Sequence, residues 1–510
     1  MKYHAVKSIL KCVIVLTLLL PAWLSWDVNP AKANVFIVTR YDDPDPSGCT
    51  PEGCSLREAI LQANQDSVMD QIFLPPGTYY LTAAGGGDLG DLDITSPMQL
   101  IGGGSGNTVI ESQIPYSIFF LLGTNTETVN ISGMTLTTSL TDPVAIDGGA
   151  VNCNSLSLSL DDVQVFWFNT NGPSGGGGIY SYNCSLLIQQ SIIAFNTAAS
   201  NGGGLLALSG TTQIEYSSIG SNTSQSNGGG ISTYNNSLTI HEGRFFNNSA
   251  AGYGGGIYAY NAELDITSST FDSNQAGTNG GGIYYDSHSV PLKEMSLENS
   301  LVANNVALAY GGGITAYAGS LFTLTNSTIS GNIAYTWGGG IFTQIPTSIQ
   351  HTTIADNIAD YDVTNDGRGG GLVAFQSGAQ VSVANSILAN NDDLSTNDLN
   401  DCYQLNTTVT SLGYNLLESP GTCTFSSTGD IMGQDPILGP LQDNGGVTET
   451  HALLPGSPAI DAGDPILTRL LVAIPLNDQR GNGFPRVVNG RIDIGAFEAW
   501  TWTYLPIVSR

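Results

Sequence analysis

Between Gly148 and Leu372 a short glycine run followed by an aliphatic residue recurs along the chain. The aliphatic residues are Val151, Ile179, Leu205, Ile231, Ile257, Ile283, Ile314, Ile341 and Leu372, and the commonest spacing is 26 residues. Between runs, apolar and polar residues alternate in short stretches. In one repeat these are Ser232-Thr233-Tyr234, Ser237-Leu238-Thr239-Ile240-His241 and Gly243-Arg244-Phe245-Phe246. Alternation with turn residues between stretches predicts three strands per repeat and no helix. A fixed period of this size predicts stacked copies of one unit. The expected fold is all-β, a right-handed parallel β-helix, its hand following the rule for parallel crossovers. Eight steps at about 4.8 Å each give a shaft on the order of 40 Å long.

A second marker keeps the register. Asn196, Asn222, Asn248, Asn274, Asn305 and Asn332 each lie six residues before a glycine run. Asn tolerates left-handed backbone and glycine adopts it freely, so both are expected at the corners of the coils. Two insertions break the period, residues 284–296 and 358–368. Loops added to a stacked scaffold are places where binding groups collect.

Helical spacing is confined to a stretch near the N-terminus, where Leu56, Ala59, Ile60 and Ala63 share one face. Ser55 and Glu58 have capping-box spacing. The pattern predicts a short helix over 56–64 that plugs the open end of the β-helix, and gives Arg57 and Glu58 a place in its first turn rather than in catalysis. Residues 109–148 hold the first, glycine-poorer coils, and the repeats fade after Asn390.

Three stretches carry resemblances. The run Cys54-Ser55-Leu56-Arg57-Glu58-Ala59, continued by Ile72-Phe73-Leu74-Pro75-Pro76-Gly77-Thr78-Tyr79, resembles the CSLREA domain and sets 34–108 as an N-terminal cap. The repeat pattern Ser/Thr-Ile/Phe-x-x-Asn followed by Gly-Gly-Gly-Ile resembles the polymorphic outer membrane protein repeat, over 109–390. That likeness implies a surface-exposed β-helix, often adhesive. The segments Leu454-Pro455-Gly456-Ser457-Pro458-Ala459-Ile460-Asp461, Asp478-Gln479-Arg480-Gly481 and Asp493-Ile494-Gly495-Ala496-Phe497-Glu498 resemble the choice-of-anchor Q domain, over 391–498. That likeness implies attachment or sorting at the cell surface. Residues 499–510 form a tail.

Residues 1–33 read as a signal peptide. Lys2, Lys7 and Lys11 are its basic region, Cys12 to Leu24 its apolar region, and Ala31-Lys32-Ala33 its cleavage site. No later stretch has the length of a membrane helix. The expected location is extracellular or at the cell surface. Six cysteines remain after the leader, in three local pairs: Cys49 with Cys54, Cys153 with Cys184, and Cys402 with Cys423. An even count in an exported chain predicts disulfides.

The chain carries 14 Lys and Arg against 43 Asp and Glu, a formal charge of −29. Between Arg57 and Arg469 the basic residues are Arg244, Lys293 and Arg368. Nucleic acid is thereby disfavoured as a partner, because phosphate binding needs clustered cations. Polysaccharides, cell-surface glycans and surface proteins remain. The adjacent acidic pairs Asp42-Asp43, Asp161-Asp162 and Asp392-Asp393 lack neighbouring His-Gly or Arg-x-Lys elements, so no catalytic residue is assigned. Two readings follow. One is a non-enzymatic, adhesin-like binder of glycans or a surface partner. The other is a polysaccharide lyase or glycoside hydrolase acting on an acidic polysaccharide, for which Arg368 beside Asp360, Asp362 and Asp366 is the constellation to consider. The same three aspartates, and Asp88, Asp91 and Asp93, have a spacing suited to Ca²⁺, the one cofactor considered. The aromatic residues suggest a ligand face. Tyr180, Tyr182, Tyr234, Tyr258, Tyr260, Tyr284, Tyr317, Phe342 and Phe375 lie one or three residues after a repeat's aliphatic residue, where alternation turns them outward into one ladder. Such a ladder suits the flat faces of sugar rings, or stiffens the sheet by ring-on-ring contact alone.

Overall fold

The computed structural model describes residues 32–50, 53–85, 89–364, 367–395, 401–465 and 475–500. Most of the signal peptide, the end of the tail, Asp88 and Asp366 lie outside them. Among the described residues the chain is a right-handed parallel β-helix with one helix.

Each coil repeats one set of steps. In the coil that starts at Ile231, strands run over Ile231–Tyr234, Ser237–His241, Arg244–Phe246 and Ser249–Ala250. That is four strands rather than the three predicted. The fourth is two residues long, too short to leave an alternation pattern. The second and third are halves of one run, bent where Glu242 takes a left-handed φ of 48° before Gly243. In the early coils the same run is continuous, over Thr128–Thr138 and Ser157–Phe166. Three sheets therefore line the shaft: a leading sheet of twelve strands from Leu92–Ile94 to Cys402–Leu405, the bent sheet, and a corner sheet of nine two-residue strands. Register is constant at 26 residues per coil where the sequence period is 26, as in Ile231 opposite Ile257 and Ile240 opposite Ile266.

Identical residues stack inside the shaft. Phe245 lies on Phe271, with centroids 4.6 Å apart and planes within 11°. The repeat asparagines form a buried ladder. The Asn274 Oδ1 accepts from the Asn248 backbone N–H at 3.1 Å and from its Nδ2 at 2.9 Å, while the Asn274 Nδ2 donates to the Phe245 carbonyl at 3.0 Å. The pattern runs from Asn196 through Asn357 and Asn391 and ends on Asp401. These asparagines do not adopt the left-handed backbone expected of them. The residue before each one does, from Phe195 to Asn390. A buried corner leaves backbone donors facing the next coil, and an amide both donates and accepts at every step.

The glycine run is needed for two reasons. Gly228 turns at φ 66°, and a Cβ on Gly229 would stand 2.5 Å from the Gly255 carbonyl oxygen of the next coil. Coils meet backbone to backbone there, so no side chain fits.

The predicted helix is present over Leu56–Ala63, with both capping-box bonds. Leu56, Ala59, Ile60 and Ala63 are buried in the end of the shaft core. Glu58 takes the capping role and also accepts from the Ser47 N–H at 3.0 Å. Burial raises its pKa, and the hydrogen bonds from Ser55 and Ser47 outweigh that and hold it below its ordinary value. Arg57 has another job. It pairs with the buried Asp43 (Nε to Oδ1 2.7 Å, Nη2 to Oδ2 2.9 Å) and donates to the Gly90 and Asp91 carbonyls, tying two loops to the cap.

Coil stacking runs on past the last glycine repeat to Leu416–Leu417 and Ile431–Met432. Residues 434–465 and 475–500 then fold back along the shaft as a lobe. His451 bonds Ser330 through Nε2 at 2.8 Å, and the Ala496 N–H donates to Thr353 Oγ1 at 3.0 Å. The outward positions of the third strands change to match. Thr270 and Asp272 are half-exposed, whereas Thr328, Ser330, Ile387 and Ala389 are buried under the lobe.

All three predicted disulfides are present: Cys49–Cys54, Cys153–Cys184 and Cys402–Cys423. Cys153–Cys184 joins one coil to the next.

Candidate functional site

On the leading sheet, register places Tyr258 opposite Tyr284 and Tyr234 opposite Tyr260. Tyr258 and Tyr284 stack at 5.5 Å with planes within 7°, and Tyr234 contacts both Tyr258 and Tyr260. Tyr317 reaches Tyr284 at 6.5 Å despite an irregularity in register after Tyr285. Further along, Phe342 and Phe375 are 6.0 Å apart. Seven of the nine predicted aromatic residues thus fall into two neighbouring groups. Tyr180 and Tyr182 do not join them, because the next coil holds Leu206 and Leu208 opposite them.

The predicted outer ladder is corrected in one respect. Tyr258, Tyr284 and Phe342 are buried, at 9%, 6% and 2% exposure, and form a floor rather than a contact surface. Burial also raises the pKa values of Tyr258 and Tyr284. Residues just before the glycine runs cover them. Tyr253 packs on Tyr284 at 4.7 Å, Tyr310 stacks on Phe342 at 5.0 Å, and Trp337 contacts Phe342, Phe375 and Tyr403. Tyr253, Tyr310 and Tyr317 are exposed. Sequence reasoning missed Tyr253, Tyr310, Trp337 and Tyr403. The first three were legible in principle, since each directly precedes a glycine run. Their corner position belongs to no alternating stretch, so the strand pattern passed over them.

One titratable pair edges the face. His288, from the first insertion, places Nε2 2.9 Å from Asp286 Oδ1, and its ring lies 6.4 Å from that of Tyr260. Burial raises the Asp286 pKa, against the pull of His288.

The expected calcium ligands are placed as follows. Asp360 is buried, and its Oδ1 accepts from the Gly367 N–H at 3.2 Å. Asp362 accepts from the Thr364 hydroxyl at 3.0 Å. Burial raises the Asp91 pKa, and its backbone carbonyl serves Arg57. Among the described residues no group of three His, Cys, Asp or Glu side chains is arranged to hold a metal ion. Arg368 pairs its backbone with Trp337 at the corner of a coil.

Comparison with known proteins bears on class only. The Chlamydia polymorphic membrane protein repeat matches residues 243–260, 268–286 and 326–344. No curated protein sequence matches the chain. Among solved structures, a PL6 family alginate lyase is similar with a TM-score of 0.44 and 13% identity, over 82% of this chain and 55% of that one. The chain thus spans about half the length of that enzyme. A pectate lyase is similar with a TM-score of 0.38 and 12% identity, over 92% and 97%. The A-module of a mannuronan C-5 epimerase from Azotobacter vinelandii gives 0.32 and 15%, over 74% and 91%. The fold is a parallel β-helix, and three stretches of it are similar to the Chlamydia repeat. Among the described residues no helix is long and apolar enough to cross a membrane.

Proposed function

We propose that this chain is a secreted or cell-surface β-helix protein, adhesin-like, that binds glycans or a surface partner without catalysis. The observation that carries the reading is the aromatic face of the leading sheet. Tyr253, Tyr310 and Tyr317 stand exposed over a buried floor of Tyr258, Tyr284 and Phe342. Rings held on a rigid sheet lose little entropy on binding and present apolar faces edged with hydroxyls. The disulfides and the membrane-protein repeats support an extracellular location. In this reading residues 1–33 direct export, 34–108 form a CSLREA-type cap, and 391–498 act as a choice-of-anchor Q-like module.

A second reading, a lyase or hydrolase acting on an acidic polysaccharide, rests on the Asp286–His288 pair. A carboxyl group whose pKa burial raises, set beside an imidazole, is an acid–base arrangement. Incubation with acidic and neutral polysaccharides separates the two. Retention without new chain ends supports binding. New chain ends that disappear in His288→Ala support catalysis and overturn the first reading.

A further inference from the structure

At the corner after each third strand the backbone is left-handed in nine successive coils, with φ between 53° and 71°. The turn is imposed by the buried ladder that follows it. Seven coils fill this position with residues that tolerate it: Ser221, Asn247, Ser273, Asn304, Gly331, Asp356 and Asn390. The first two coils hold Trp167 and Phe195 instead. Left-handed backbone is unfavourable for a bulky residue, and these two also expose apolar rings. Trp167 is 57% exposed and Phe195 45% exposed. Their rings stack 4.4 Å apart with planes within 10°. A stack that merely stabilised the shaft would be buried and would not need strained backbone in both partners.

The platform borders an open cleft of about 550 Å³ between the loop after Thr128–Thr138 and the corner strands. Its lining includes Ser139, Thr141, Asn169, Thr197 and Ser221 and contains no charged side chain. Ser139 and Thr141 are exposed and Asn169, Thr197 and Ser221 half-exposed, so their polar groups face the cleft's solvent. No Lys or Arg occurs between Arg57 and Arg244 in the sequence. We infer that the Trp167–Phe195 corner is a second carbohydrate site, which takes a pyranose ring of an uncharged glycan. The ring's C–H face lies on the aromatic stack and its hydroxyls meet the cleft. An acidic polymer is disfavoured because nothing in the cleft neutralises it. The site lies on a different sheet edge from the tyrosine face and does not depend on it.

The test uses the double variant Trp167→Asn, Phe195→Asn, which places a residue suited to left-handed backbone at both corners. Retention is measured in native gels containing hydroxyethylcellulose, mixed-linkage β-glucan, galactomannan or soluble starch, and in gels containing alginate or polygalacturonate. The expected result is retention by at least one neutral polymer, weakened at least tenfold in the variant, with a Tm equal to or above that of the parent. Titration with that polymer should also shift tryptophan emission in the parent and not in Trp167→Asn. Unchanged retention in the double variant, retention by acidic polymers alone, or a lowered Tm with equal retention would overturn the proposal. So would an emission response to an apolar decapeptide and to none of the glycans, which reassigns the corner to a polypeptide. Loss confined to Tyr310→Ser, Trp337→Ser leaves the tyrosine face standing and removes the corner site.

Discussion

The shaft and the lobe that folds back on it solve the same problem, buried polar groups, in opposite ways. In the shaft most buried polar side chains are neutral and recur from coil to coil, with Asp286, His351, Asp360 and Asp393 as buried exceptions. Asparagine bonds asparagine through one corner, and serine hydroxyls do the same in shorter runs through another, Ser191 to Ser217 and, past a break at Gly243, Ser269 to Ser300 to Ser327. Each ladder ends at the C-terminal side on a carboxylate, Asp401 for the first and Asp430 for the second, where Ser386 has given way to Asn415. A terminal carboxylate only has to accept, so it closes the chain of donors. Burial nonetheless pushes Asp401 up to about 6, even against the hydrogen bonds it receives.

The lobe is organised around charge. Arg480 pairs with the buried Asp478 and is sandwiched between Phe484 at 4.1 Å and Phe497 at 3.8 Å. Arg486 is fully buried, and desolvation lowers its pKa. Desolvation also keeps the neighbouring His351 well below its ordinary value, with Arg486 adding to it. Desolvation drives Glu498 up to about 9 and Asp493 to about 6. Repetition allows neutral ladders, because each coil offers its neighbour the same partner. A single-copy lobe has no such neighbour and draws on ion pairs, which are sensitive to pH.

The comparison breaks most directly at Asn274. Asn274→Ala strands the Asn248 N–H, one Asn248 amide proton and the Phe245 carbonyl, and should cost roughly 4 kcal/mol, at 1–3 kcal/mol per buried group. Hydrogen exchange should show protection lost in the coils on both sides and kept in the lobe. Uniform loss through both regions would mean that they are one cooperative unit.

Next in size is the covalent stitch between coils. Cys153→Ser with Cys184→Ser opens a loop of 31 residues and should lower stability by about 3 kcal/mol, read as a shift in the urea midpoint. A shift confined to the first coils sharpens the contrast, and no shift refutes the stitch.

Above pH 7, where Asp401 at the end of the shaft ladder has already titrated, the lobe should still answer to pH. A raised folded pKa means that the folded state holds its proton more tightly, so stability falls as pH climbs from the unfolded value toward the folded one. For Glu498 that window runs from about 4.5 to about 9. Between pH 7 and 9 the carboxyls of Asp401 and Asp493 have already titrated and His351 is neutral in both states. Stability should then fall by up to about 1.4 kcal/mol per pH unit. Glu498→Gln should flatten that slope whatever it does to the absolute Tm.

The smallest effect belongs to the exposed rings. Tyr310→Ser should change stability by less than about 1 kcal/mol, because its ring covers Phe342 from outside the core. It should weaken polysaccharide retention severalfold. A large loss of stability with equal retention would make the tyrosine face structural.

Much of this architecture was legible in the residues. The 26-residue period, the glycine runs and the capping box all report local geometry, which repeats or is completed within a few positions. From them came the β-helix, its register and the plugging helix, while the even count and local spacing of the cysteines gave their pairing. What local pattern does not carry is which neighbour covers an outward residue. Tyr258 and Phe342 read as exposed because alternation points them away from the core, yet Tyr253 and Tyr310 close over them from the corner. The asparagines read as turn formers, yet the coil above and the coil below turned them into a buried ladder. Arg57 and the motif around Arg480 read as segments of resemblance, and their partners Asp43, Phe484 and Phe497 were found only once the chain had folded back. Contacts between coils, and between lobe and shaft, join residues whose separation leaves no periodic trace, and only folding brings them together.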